Sequence, residues 1–93
     1  MLKVNEYFDG KIKSIAYKTD TLPATVGVML PGDYVFNTND KEKVTIITGA
    51  LTIKLAGEND FTTYKPGESF NVDANSAFDV KVEVETAYLC LYG

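Results

Sequence analysis

A residue period of two is the feature that most constrains this chain. Apolar and polar side chains alternate, imperfectly, through Lys11–Tyr17, and no segment sustains the 3.6-residue period of a helix. Turn formers cut the rest into short strands. Val26-Gly27-Val28-Met29-Leu30 ends at Pro31-Gly32, and Tyr34-Val35-Phe36 closes at Asn37–Asp40. Val44–Thr48 turns at Gly49-Ala50 into Leu51–Leu55, Gly57–Asp60 reads as a loop, and Phe61–Tyr64 stops at Pro66-Gly67. Ser69–Val72, Phe78–Val84 and Thr86–Tyr92 follow, separated by Asp73-Ala74-Asn75-Ser76 and a tight step at Glu85. Asn5-Glu6-Tyr7-Phe8 reads as an N-terminal strand, a candidate to cross to a partner subunit. Roughly eight to ten strands with turn signals about every eight to twelve residues give an all-β sandwich or small barrel. With 93 residues, residues 1–93 hold one core and make a single domain. Strand content this high leaves no βαβ unit, and no Gly-rich phosphate motif is present.

The inventory of side chains narrows the chemistry. His is absent and Cys90 is the single cysteine. Zinc hydrolases, Ser-His-Asp hydrolases and Cys-His proteases are excluded on that ground, and so is an intrachain disulfide. All nine basic residues are Lys, so no guanidinium is available to fork onto a phosphate. The net charge of −4 opposes a nucleic-acid partner. No apolar run approaches the roughly 18 residues of a membrane span, and Met1-Leu2-Lys3-Val4-Asn5-Glu6 lacks the apolar stretch of a signal peptide. A cytoplasmic location is therefore expected.

Val26–Leu30 and Val44–Leu55 look apolar on both faces. A barrel buries one face within itself, and the other needs a neighbouring sheet or a second subunit. A homodimer is expected; a two-layer sandwich that covers both faces within one chain is the alternative.

Two stretches carry a cupin-like skeleton. Gly32 opens the first, Glu42 sits seven residues before Gly49, and Gly49 closes it. Counting back from Glu42 puts Phe36 and Thr38 at the two metal-binding His positions of the cupin motif. The second begins at Gly67 and fits without a gap, with Asp73, Asn75, Phe78 and Val82 at its marked positions. Phe36, Thr38 and Phe78 thus replace three of the usual metal ligands, and Glu42 alone is too few. No metal and no cofactor are expected.

With these stand Val26-Gly27-Val28-Met29, the Thr45–Leu51 stretch, Phe70-Asn71-Val72, Tyr88-Leu89-Cys90 and the N-terminal Asn5-Glu6-Tyr7-Phe8. In this order and spacing the whole chain resembles the small cupin-type pyrimidine/purine nucleoside phosphorylases of bacteria. The resemblance implies a dimeric, metal-free cupin jelly roll. It would split nucleosides with inorganic phosphate, its co-substrate, into free base and ribose 1-phosphate, with broad base tolerance. The chain departs from the family pattern at Leu91, where an Arg is expected between Cys90 and Tyr92, and near Ala24, where another is expected.

Phosphorolysis must hold a phosphate at the anomeric carbon, grip the ribose and stabilise the leaving base. Phe36 and Phe78, pointing into the cup, offer a stacking slot for a base, or simply fill the barrel. Glu42 is the catalytic candidate, a carboxylate to accept bonds from ribose hydroxyls and to stabilise positive charge on the sugar; its alternative is a surface residue beside Lys41 and Lys43. Thr38 and Thr45 offer hydroxyls, and Tyr34, Tyr88 and Tyr92 offer phenols, each with plain strand or core packing as its alternative. Lys43 is the nearest cation for phosphate. It follows Glu42 directly, so a regular strand turns it to the opposite face unless a bulge intervenes. Backbone N–H groups at Thr48-Gly49-Ala50 are another anion site. Two further functions stay open: a metal-free cupin that binds a small sugar or nucleoside without catalysis, and a purely structural dimerisation module.

Overall fold

The computed structural model describes residues 2–93, so Met1, the first residue of the stretch read as leader-free, lies outside the described residues. Ten strands run in order: β1 Lys3–Tyr7, β2 Ile12–Lys18, β3 Pro23–Met29, β4 Gly32–Asn37, β5 Glu42–Thr48, β6 Leu51–Leu55, β7 Thr62–Tyr64, β8 Ser69–Val72, β9 Ala77–Val82 and β10 Thr86–Tyr92. They form two antiparallel sheets, one of six strands in the order β1-β2-β3-β10-β5-β8 and one of four in the order β4-β9-β6-β7. This all-β, single-domain architecture is the expected jelly roll. The expected strands stand, with boundaries moved by one to three residues: β3 starts at Pro23 and β5 at Glu42. Proline is tolerated at a strand's first position because no ladder donor is needed there.

The inward positions of both sheets make one core of Ile12, Met29, Val44, Ile46, Leu51, Ile53, Phe70, Val80 and their neighbours. Alternation places them: on β5, Val44 and Ile46 are buried while Lys43 and Ile47 face out. β1 pairs with β2 of its own chain, from Lys3 opposite Ala16 to Tyr7 opposite Ile12. β1 is the edge strand of the six-stranded sheet.

Two local devices fix the strands that carry the site. Gly49 lies at φ +88°, where a Cβ would strike the Thr86 hydroxyl and the Glu85 carbonyl. That close approach lets the fully buried Thr86 accept from the Ala50 N–H at 3.1 Å and reach the Val84 carbonyl at 2.9 Å, which anchors the start of β10. The turn after β1 is left-handed at Phe8, Asp9 and Gly10 and lays the Phe8 ring on Tyr34 (4.9 Å between centroids) and edge-on to Phe36 (5.6 Å).

Candidate functional site

One end of the barrel opens into a cavity of about 240 Å³. Strands of both sheets build it. β10 contributes Tyr88, Cys90 and Tyr92, which alternation turns to a single face. β5 contributes Glu42 and Val44; β4 and β9 contribute Phe36 and Phe78. Tyr7 and Ser14 enter from β1 and β2, and Asn37, Asn39 and Asp40 rim the mouth.

Glu42 stands at the centre of the polar wall. Its Cα partner across the ladder is Tyr92, and the Cys90 thiol donates to its Oε1 at 3.5 Å. Burial raises the Glu42 pKa above the usual carboxylate value, and the charge of Asp40 adds to the rise. Burial pushes the Cys90 thiol up to about 12, with the Glu42 charge a further cause, so the sulfur stays protonated and is no nucleophile. Burial likewise pushes the Tyr88 phenol up to about 12 and raises Tyr92. These phenols remain neutral donors at any physiological pH. The Tyr92 hydroxyl lies 3.0 Å from Thr25 Oγ1, which sets its direction. Gly27, opposite Tyr88 in the ladder, makes room for the other: a Cβ there would sit 2.6 Å from the Tyr88 hydroxyl.

The structure brings together Glu42, Phe36, Phe78, Tyr88 and Tyr92, five of the residues singled out from sequence. One detail changes. Phe36 and Phe78 stack on each other, 5.6 Å between centroids and 23° between planes, which leaves no slot between them for a base. Only their free faces and edges, with Tyr7 edge-on to Phe36, meet the cavity.

The other four lie outside the lining. Tyr34 shares the inward face of β4 but is deeply buried, and its hydroxyl donates to the Leu30 carbonyl at 2.7 Å. Thr38 is buried in the loop after β4, where its Oγ1 donates to the Asp73 carbonyl at 2.6 Å and accepts from the Ser76 N–H at 2.9 Å. Thr45 sits on the outer face of β5 and its hydroxyl lies 2.7 Å from that of Ser69. Lys43 is exposed on that same outer face. A bulge does interrupt the β5–β10 ladder, but between Ala87 and Tyr88, at the far end from Lys43. In the Thr48-Gly49-Ala50 turn the Ala50 N–H is already held by the Thr86 hydroxyl.

Leu91, one of the positions where an Arg was expected, also turns away. Leu91 faces Ala24 on one side and Lys43 on the other. Cys90 and Tyr92, the residues flanking Leu91, line the cavity, so Leu91 points to the outer face. An Arg there would not enter this chain's own cup.

Sequence reading missed Tyr7, Ser14, Asn37, Asn39 and Asp40. Ser14 carries a signal: it is a small polar residue at an inward position between Ile12 and Ala16. Among the described residues no three His, Cys, Asp or Glu side chains gather as a metal-holding group, and no helix is long and apolar enough to cross a membrane.

Comparison with known proteins adds what the geometry alone leaves open. The family model for pyrimidine/purine nucleoside phosphorylase matches residues 2–92. The chain belongs to this family. A Magnetococcus marinus protein named pyrimidine/purine nucleoside phosphorylase is 58% identical over 93 residues, covering 100% of both chains. A crystal structure of a Vibrio parahaemolyticus protein of unknown function superposes with a TM-score of 0.96 at 47% identity, covering 100% of this chain and 99% of that one. An RmlC-like cupin from Shewanella frigidimarina shares the fold, with a TM-score of 0.76 at 14% identity over 98% of this chain and 82% of its own. The family member described here is thus a cupin-type barrel whose open end is the cavity around Glu42.

Proposed function

We propose that the chain is a nucleoside phosphorylase that splits purine and pyrimidine nucleosides with inorganic phosphate into free base and ribose 1-phosphate. Family membership over the whole chain supports the reaction. The observation that supports the place is the half-buried Glu42 carboxyl, set in a cavity walled by aromatic rings and neutral phenols. Glu42 faces the sugar. It accepts hydrogen bonds from ribose hydroxyls and stabilises the positive charge that builds on the ring as the glycosidic bond lengthens. Tyr88 and Tyr92 remain protonated and donate to the sugar or the acceptor.

A volume of about 240 Å³ is smaller than the roughly 300–1,000 Å³ of a pocket that swallows a drug-sized ligand. Sugar and acceptor fill it, and the base lies towards the mouth against Phe36 and Tyr7. Stacking reads a ring's face, which purines and pyrimidines share, and this accounts for breadth. Phosphate is met by the neutral donors of Ser14, Asn37 and Asn39 and by the phenols. No metal or cofactor takes part.

The same reading includes a homodimer built on the outer face of the six-stranded sheet, a cytoplasmic location and a role in nucleotide salvage. Val4, Ile15, Val26 and Leu89 stand side by side across four strands of that face. Val4, Ile15 and Val26 are 59%, 43% and 39% exposed. A contiguous apolar rung on a small domain fits a second copy of the same face across a two-fold axis. Incubating the full chain with uridine and with inosine in phosphate, and assaying ribose 1-phosphate, tests the proposal. Product from both nucleosides is expected; product from neither would overturn it.

A further inference from the structure

The charge of the cavity bears on which acceptor it tolerates. Every titratable side chain in the lining is an acid: Tyr7, Asp40, Glu42, Tyr88, Cys90 and Tyr92. The remaining polar groups, Ser14, Asn37 and Asn39, are neutral. The chain's cations are all lysines, and those of the described residues lie outside this lining. Lys43, the nearest in sequence, is on the opposite face of β5. A phosphate dianion entering here passes the exposed Asp40 carboxyl at the rim and meets the half-buried Glu42 carboxyl within, without a counter-charge from this lining. Water meets no such repulsion, and a half-buried carboxylate beside it is a competent general base.

We propose that the cavity takes water as a second acceptor, so that the chain hydrolyses nucleosides to ribose and free base as well as phosphorolysing them. The proposal rests on the nucleoside reading of the same cavity. In the step, the bond between the anomeric carbon and the base nitrogen breaks, and its electron pair leaves with the base. The water oxygen bonds to the anomeric carbon while its proton passes to the Glu42 carboxylate. The departing base takes a proton from solvent at the mouth, and Glu42 returns its proton to solvent. The sum is nucleoside plus water giving ribose plus base, with no oxidant, reductant or further reagent.

The test uses the full chain in phosphate-free buffer with uridine or inosine, with and without added phosphate. Ribose, ribose 1-phosphate and free base are each quantified. A parallel arm in aqueous methanol looks for methyl riboside, which a neutral acceptor site would form. Base release without phosphate is expected at a rate within roughly tenfold of that with phosphate, with ribose as product and methyl riboside in the methanol arm. Release that begins only when phosphate is added, with ribose 1-phosphate the sole sugar product, would overturn the proposal and leave the phosphorylase standing. Folded protein that releases no base in either arm would overturn both. Glu42→Gln is expected to lose ribose formation while it still melts cooperatively; undiminished ribose formation in that variant would overturn the role given to Glu42.

Discussion

At the scale of single residues, Glu42 ties stability to chemistry. Burial raises its folded-state pKa above 4.5, its ordinary value. The sign follows from linkage. A raised pKa means that the folded chain holds the proton more tightly, so the contribution to stability is full below 4.5 and is lost as pH rises through the raised value. Glutamine has no proton to lose. Melting temperatures of Glu42→Gln and the parent chain should therefore diverge as pH rises from 4.5, with the variant gaining, while its base release falls by about a hundredfold or more. Thermal melts across pH check this, and a gap that stays constant with pH would contradict it. Glu42, Tyr88 and Tyr92 were legible because motif spacing and strand alternation are local. Tyr7 and Ser14 were not, since only the β1–β2–β3 pairing carries them to the same cavity. Nor was Gly27, whose missing Cβ matters because the Tyr88 ring and the Lys13 carbonyl close in on it from the two neighbouring strands.

At the scale of elements, β5 shows what alternation can and cannot decide. It turns Glu42 inward and Lys43 and Thr45 outward, as period two requires, because the bulge falls at the other end of the strand. Thr38 shows the limit. The cupin spacing placed it at a ligand position, yet β4 ends at Asn37 and the next residue turns to hold the loop before β9. A buried hydroxyl held by both the Asp73 carbonyl and the Ser76 N–H is structural. Thr38→Ala should cost about 1–3 kcal/mol, a fall in melting temperature of roughly 4–8 °C per kcal/mol for a domain of this size. Its KM for nucleoside should stay close to that of the parent. Calorimetry beside steady-state kinetics checks the pair, and a large KM change without loss of stability would return Thr38 to the site.

At the scale of the whole molecule, the six-stranded sheet carries apolar side chains on both faces, those of the outer face beside Lys43 and the Glu6–Lys13 ion pair. Its inner face packs the core, and its outer face exposes Val4, Ile15, Val26, Val28 and Ile47. Apolar character on both sides of Val26–Leu30 was legible in sequence. Which residues line up across the face was not, since that depends on ladder register. Val26→Asp puts a charge in the middle of the rung and should shift a dimer to monomer in sedimentation at micromolar protein, with the fold kept. An unchanged sedimentation coefficient would place the dimer contact elsewhere. The central claim, however, concerns the cavity. The most direct measurement is ribose 1-phosphate formation from uridine and phosphate by the parent chain, Glu42→Gln and Lys43→Ala in parallel, each shown to be folded. With Glu42 in the cavity and Lys43 turned away from it, product should be lost in Glu42→Gln and kept within about threefold of the parent in Lys43→Ala. Full activity in Glu42→Gln, or its loss in Lys43→Ala, would contradict the site.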